Sequence, residues 1–133
     1  RQIKYILIND TVSKTPSGAP VRYDASNLGH HYVINSQGML LHPIDDSQPG
    51  AFMPKPTCGE EDLNRCSIGV KYNGTLKHET CDLKLRAQLI ALLLNLRDRY
   101  PSAKILGKHE YDRYHIHVSD EMNHLRRELS DYP

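Results

Sequence analysis

The stretch from Ile105 to Val118 reads ILGKHEYDRYHIHV, and the interpretation of the whole chain turns on it. A short apolar run ends at Gly107 and is followed at once by one lysine, three histidines and two tyrosines: Lys108, His109, His115, His117, Tyr111 and Tyr114. Imidazole is the commonest metal ligand among side chains. Taken alone, the stretch therefore indicates a histidine-rich metal site directly behind a buried strand.

Length and composition bound what the chain can be. Its 133 residues suffice for one domain, 1–133, with a single hydrophobic core. The net charge is +1 and no block of like charge occurs, so we expect no nucleic-acid partner and no acidic-membrane partner. No apolar run approaches the roughly 20 residues that span a bilayer. Cys58, Cys66 and Cys81 form no CxxC pair, and they fit either one disulfide with a free thiol or three thiols.

Hydrophobic patterning predicts five strands, at 3–8, 31–34, 39–44, 66–72 and 103–106. The segments 9–28 and 45–64, rich in Pro, Gly and charge, predict long loops. Two helices are predicted, one from Asp82 as N-cap to Tyr100 before Pro101, and one from Ser119 to about Leu129. In the first helix the predicted apolar face contains Leu83, Ala87, Ile90 and Leu94. The predicted fold class is α/β, with a central mixed sheet of about five strands flanked by helices.

Several segments carry a family resemblance through their order and spacing. They are RQIKYILIND (1–10), GHHYVINSQGML (29–40), NRCSIGVKYNG (64–74), RYPSAKILG (99–107) and the last helix. Together they resemble the N-acetylmuramoyl-L-alanine amidase and peptidoglycan-recognition superfamily over nearly the whole chain. The resemblance implies an amidase-like sheet, a cleft for peptidoglycan and a place in the bacterial envelope or outside the cell.

The zinc-binding positions of that family hold other residue types here. The resemblance aligns its three ligands with Asn9, Lys108 and Ile116, and asparagine is a poor zinc ligand while isoleucine cannot bind a metal. It aligns the catalytic tyrosine with His30 and the lysine that stabilises the oxyanion with Tyr114. A catalytic zinc needs about three protein ligands. The resemblance therefore implies an amidase-fold pseudoenzyme without a cofactor.

Such a domain would bind peptidoglycan fragments, or a protein partner, in the former zinc-site cleft without hydrolysis. The predicted ligand-binding residues are Asn9, His30, Phe52, Asn64, Lys108 and Tyr114. Phe52 is either a wall of the cleft or a loop anchor. Lys108 is either a solvated charge or a cation for a muropeptide carboxylate. Active relatives carry a helix in the region of Thr11–Asn27, where prolines and glycine here predict a differently shaped groove.

Two alternatives stay open. An active amidase would use relocated zinc ligands, with His115 and His117 on one side of an extended segment and His30 or His109 as the third. The other alternative is a protein–protein interaction module that reuses the fold. The remaining histidines are predicted to be ordinary: a structural hydrogen bond for His31, and no special role for His42 and His78.

Overall fold

A mixed five-stranded sheet forms the centre of the fold. The computed structural model describes residues 1–11, 29–54, 56, 61–111 and 116–133. Its strands are β1 (Tyr5–Asn9), β2 (Tyr32–Ile34), β3 (Leu40–Leu41), β4 (Ser67–Tyr72) and β5 (Lys104–Gly107). Its α-helices are α1 (Leu63–Cys66), α2 (Leu83–Arg99) and α3 (Asp120–Ser130). Short 3-10 turns at His78–Thr80 and Lys108–Glu110 precede α2 and follow β5.

The strand order is β3-β2-β4-β1-β5, with β1 at the interior of the sheet. β1 runs parallel to both β4 and β5, β2 runs parallel to β4, and β3 is antiparallel to β2. Interior parallel strands are covered on both faces, which explains the nearly continuous apolar run IKYILI in β1. The predicted α/β class with a mixed sheet of five strands is confirmed.

Helices α2 and α3 cover one face of the sheet, which we call the helix face. The main hydrophobic core lies there and joins Ile6, Ile8, Ile68, Val70 and Tyr72 of the sheet to Leu89, Leu93, Leu96, Met122 and Leu125 of the helices. Local capping fixes where both helices begin. The Asp82 carboxylate accepts hydrogen bonds from Lys84 N and Leu85 N, and the Ser119 hydroxyl accepts one from Met122 N.

A loop and a one-turn helix cover the opposite face, which we call the loop face. A second cluster of buried residues packs there, comprising Leu7, Phe52, Leu63 and Leu106. Side chains alternate along a strand, so Leu7 and Asn9 lie on the loop face while Ile6 and Ile8 lie on the helix face. The loop face therefore receives the polar residue that ends β1.

Three sequence predictions about these elements were wrong. The segment before Asn64 is not all loop, because α1 begins at Leu63 with the Asp62 carboxylate accepting from Asn64 N. Strand β3 has two residues instead of six. The buried face of α2 is rotated: Leu83 and Ala87 are exposed, and the buried residues are Leu85, Arg86, Leu89, Ile90, Leu92, Leu93 and Leu96. Leucines lie on several sides of this helix, so its sequence period alone does not fix the face.

The predictions for the region beyond Thr11 fall on residues 12–28, which lie outside the described part of the chain. Cys58 lies outside it too, while Cys66 and Cys81 are free thiols. Among the described residues, no helix combines the length and the apolar character that crossing a membrane requires.

Candidate functional site

The candidate site lies on the loop face at the carboxyl ends of β1 and β5. Asn9 ends β1 and is only 4% exposed. Its Oδ1 atom is buried and has no hydrogen-bond partner among the described residues. The next residue, Asp10, accepts a hydrogen bond from Leu76 N at 3.0 Å and so fixes the chain that follows β4. Asn9 thus presents an unsatisfied acceptor at the carboxyl end of an interior strand.

Lys108 directly follows β5, and its side chain extends to the loop face. The side chain is buried, and Nζ donates a hydrogen bond to the carbonyl oxygen of Phe52 at 2.6 Å. Buried ammonium groups need such partners because burial alone disfavours the charge strongly. Lys108 therefore ties the end of β5 to the loop that contains Phe52.

Phe52 is the residue on which that loop packs. Its ring is buried and stacks on His30, with ring centroids 5.4 Å apart and an interplanar angle of 27°. It also lies directly over Gly69 of β4, where an added Cβ would stand 2.5 Å from Phe52 Cδ1. Only glycine at position 69 leaves room for the ring, so Phe52 anchors the loop against the sheet.

Asn64 holds the same loop from the side of α1. Its Oδ1 accepts hydrogen bonds from Phe52 N and Met53 N, and its Nδ2 donates to Met53 O, each at 3.0 Å. These contacts direct the amide at the loop backbone. Asn64 therefore positions Phe52. Asn64 would affect a bound ligand only through the position of Phe52.

The two histidines before β2 are both buried, and they have different surroundings. His30 packs against Phe52, as described above. His31 Nδ1 accepts a hydrogen bond from Gly69 N at 3.0 Å, and Nε2 lies 2.7 Å from Gln48 O. The structural hydrogen bond predicted for His31 is confirmed. Burial lowers the pKa of His31, and because Nδ1 accepts, the neutral ring carries its proton on Nε2 and donates it to Gln48.

The structure thus brings together four of the six predicted ligand-binding residues on the loop face, Asn9, His30, Phe52 and Lys108, with Asn64 behind them. Tyr114, the sixth, lies outside the described residues, as does His115. Ile116, at the third ligand position of the resemblance, is 40% exposed and forms a backbone bridge with Tyr111.

Of the histidines proposed as relocated zinc ligands, the structure describes His30, His109 and His117. His109 contacts the start of α3 on the helix face, with Nε2 2.8 Å from Ser119 Oγ and 3.2 Å from Glu121 Oε1. His30 lies against Phe52 on the loop face. His117 is exposed, and its backbone N donates to Glu110 O. The sheet separates His30 from His109, so only one of these two could join His115 and His117, as that alternative requires.

Sequence analysis missed the role of Glu110. This carboxylate is fully buried and accepts hydrogen bonds from Gly107 N, from Ser119 N and, through both oxygens, from the guanidinium of Arg126. Burial acts to raise the pKa of Glu110, but the hydrogen bonds from Arg126 and these backbone groups outweigh it and lower the pKa. Glu110 therefore links the end of β5 to α3. Part of the polar stretch after Ile105 thus has a structural role.

A second polar cluster, also missed, surrounds Asp46. Its Oδ1 accepts from the Tyr32 hydroxyl at 2.8 Å, and its Oδ2 accepts from the Tyr100 hydroxyl at 2.7 Å and from Arg99 Nη1 at 2.6 Å. A cavity of about 400 Å³ lies beside it. Burial acts to raise the pKa of Asp46, but hydrogen bonds from Tyr100 and Tyr32 together with the charge of Arg99 lower it. No sequence motif marks this cluster, because its members come from three distant segments.

Comparisons of the chain with protein-family models, with curated proteins and with solved structures gave no match.

Proposed function

We propose that this domain binds a muropeptide or a peptidoglycan fragment at the carboxyl ends of β1 and β5 and does not hydrolyse it. The observation that carries the proposal is the buried Oδ1 of Asn9, which has no hydrogen-bond partner among the described residues. Leaving such a group unsatisfied costs about 1–3 kcal/mol. An amide N–H of a stem peptide would satisfy this acceptor by displacing the groups that cover it.

The residue types at the edge of the loop face support binding without zinc chemistry. Asn9 offers only a neutral amide oxygen, which is a poor zinc ligand. The Lys108 ammonium has donors and no acceptor, and its charge repels a cation. Ile116 has a hydrocarbon side chain and is exposed. None of these three can replace the imidazole or carboxylate ligands of a catalytic zinc.

The test is calorimetric titration of a defined muropeptide into the wild-type chain, Asn9→Leu and Asn95→Leu. Leucine is close to asparagine in size but cannot accept a hydrogen bond, so we expect Asn9→Leu to weaken binding at least about tenfold. Asn95 is exposed on α2, and Asn95→Leu is the matched control that should bind as the wild type does. Chromatography of the same mixtures, with zinc supplied, should show intact muropeptide.

Two results would overturn the proposal. One is wild-type protein that fails to bind the muropeptide, or that binds no better than Asn9→Leu. The other is release of the peptide from the sugar in a reaction that His117→Ala abolishes, which would favour the active amidase with relocated ligands.

A protein partner is the second candidate, favoured by the edge strand β3. Met39, Leu40 and Leu41 are 58%, 48% and 43% exposed although they are apolar. An edge strand also presents unpaired backbone groups to which another strand can add. Failure to bind peptidoglycan, together with capture of a partner protein that Leu40→Lys abolishes, would support this candidate.

A further inference from the structure

A cluster of three potential metal ligands lies on the helix side of the molecule, away from the loop face. His124 and Glu128 are four residues apart on α3 and therefore lie on the same side of that helix. His78, in the turn before α2, faces them. His78 Nδ1 and His124 Nε2 each lie 3.7 Å from Glu128 Oε1, and all three ligand atoms lie within 4.8 Å of one another.

These separations are close to those that a metal ion requires. Ligand atoms about 2.1 Å from a tetrahedral zinc stand about 3.4 Å from one another. Small rotations of the two imidazoles would close the remaining gap. The side chains of His78 and His124 are 52% and 37% exposed, so an ion can reach them from solvent and the rings have room to turn.

Arg86 holds the carboxylate of the cluster in place. It is buried under α3, where Nη1 donates to Leu76 O at 3.0 Å and Nη2 donates to Glu128 Oε1 at 2.5 Å. Metal-binding carboxylates and imidazoles are commonly oriented by such outer hydrogen bonds. The buried guanidinium fixes the Glu128 carboxylate beside the two histidines, and it donates to Oε1, the same oxygen from which the imidazole distances are measured.

The cluster borders a cavity of about 440 Å³. Its other lining residues are three acids and two bases, Glu79, Asp120, Glu121, Lys77 and Arg127. Two imidazoles and one carboxylate are a ligand set suited to zinc, whereas calcium and magnesium prefer oxygen ligands only. Three protein ligands beside an open cavity leave the fourth position of a tetrahedral ion for water or another small ligand.

We propose that His78, His124 and Glu128 form a zinc site that joins the turn before α2 to α3 and has its fourth position open to this cavity. The site does not depend on the proposed muropeptide binding, which concerns the other face of the sheet. It also differs from the zinc positions of the amidase resemblance, since none of the three residues belongs to them.

The test is competition between the full chain and a chromophoric zinc chelator, with cobalt absorption spectra as a second readout. We expect one zinc ion per chain. His124→Gln should weaken binding at least tenfold, and His78→Gln should do the same. His42→Gln is the matched control, because His42 pairs with Asp46 elsewhere in the molecule and its loss should leave zinc affinity unchanged. Circular dichroism establishes that the variants are folded.

Absence of zinc binding by the wild-type chain would overturn the proposal, as would equal affinities for wild type, His78→Gln and His124→Gln. Zinc that is retained in both variants and lost in His117→Ala would place the ion elsewhere. That result would also count against the non-hydrolytic function proposed above. Zinc competition and muropeptide titration test opposite faces of the sheet, so each proposal can also fail while the other stands.

Discussion

At the scale of single residues, His31 shows how a buried imidazole can stabilise the fold through hydrogen bonds. Gly69 N donates to one ring nitrogen, and the other donates to Gln48 O, so both nitrogens are used by the neutral ring. The guanidinium of Arg1 also lies close to Nε2. Burial of the ring opposes its charged form, and protonation would also turn the acceptor toward Gly69 into a second donor.

We expect this histidine to make the protein less stable in acid. Burial lowers the pKa of His31 from its ordinary 6.5. As the pH falls below about 6.5, the unfolded chain takes up a proton that the folded chain resists, so the free energy of unfolding decreases. Urea unfolding at several pH values between about 5 and 8 measures this slope.

His31→Asn retains an acceptor for Gly69 N and cannot titrate in this range. Its free energy of unfolding should be lower than that of the wild type at neutral pH and should depend less on pH. An unchanged slope in His31→Asn would show that other groups cause the acid sensitivity.

At the scale of elements, α1 and the loop before it act as one unit because of Asn64. The four residues of α1 are too few to form a stable helix by themselves. What holds them is the set of hydrogen bonds between the Asn64 amide and the backbone of Phe52 and Met53, with the Phe52 ring packed on Gly69. The loop face is therefore shaped by one side chain that need not touch a ligand.

Asn64→Ala should lower the free energy of unfolding by about 2–3 kcal/mol, since each of three hydrogen bonds contributes about 1 kcal/mol. The amide hydrogens of Phe52 and Met53 should exchange with solvent faster, which NMR can follow residue by residue. Arg65→Ala is the matched control in the same helix, because its ion pair with Asp62 is exposed and contributes little. Equal losses in the two variants would mean that the amide does not hold the loop.

At the scale of the whole molecule, the cluster around Asp46 joins distant parts of the chain. Arg1 donates to the Asp46 backbone, and the Asp46 carboxylate binds Tyr32 of β2 and Tyr100 after α2. Burial, together with the Asp46 carboxylate, raises the pKa of Tyr100 to about 12. Burial likewise raises the pKa of Tyr72, in the core, to about 12.

We therefore expect stability to fall in alkali, beginning near pH 10. The unfolded tyrosines ionise around pH 10 while folded Tyr72 and Tyr100 keep their protons, so the free energy of unfolding decreases as the pH rises toward 12. The difference in tyrosinate absorbance between wild type and Tyr100→Phe should show a step near pH 12. A step near pH 10 would mean that Asp46 and burial do not hold the phenol protonated.

The sequence predicted those parts of the molecule whose causes are local. The apolar run of β1, the capping Asp82 and the terminating Pro101 each act on their immediate neighbours, and the structure agrees with all three. Nothing local marks Arg86 for burial, because its partners, Leu76 and Glu128, lie 10 and 42 residues away along the chain. No spacing rule connects such residues before the chain has folded.

The residues of the candidate site, like the fold, could be predicted from the sequence only in part. Residues at strand ends, such as Asn9 and Lys108, could be assigned from strand patterns and resemblance. The role of Asn64 could not, because its partners are backbone groups that every residue type possesses. His78 is likewise predicted to have no special role, since only the packing of α3 beside its turn brings it to His124.

The interior position of β1 has a consequence for synthesis of the protein in the cell. β1 is made first among the described strands, yet its two neighbours are β4 and β5, which lie about 60 and 100 residues later. At about 5–20 residues per second, roughly 5–20 s pass between the emergence of β1 and that of β5. Until β4 emerges, about 3–12 s after β1, this apolar strand has no neighbour on either edge. A chaperone that binds short extended apolar segments would therefore find its principal target in IKYILI.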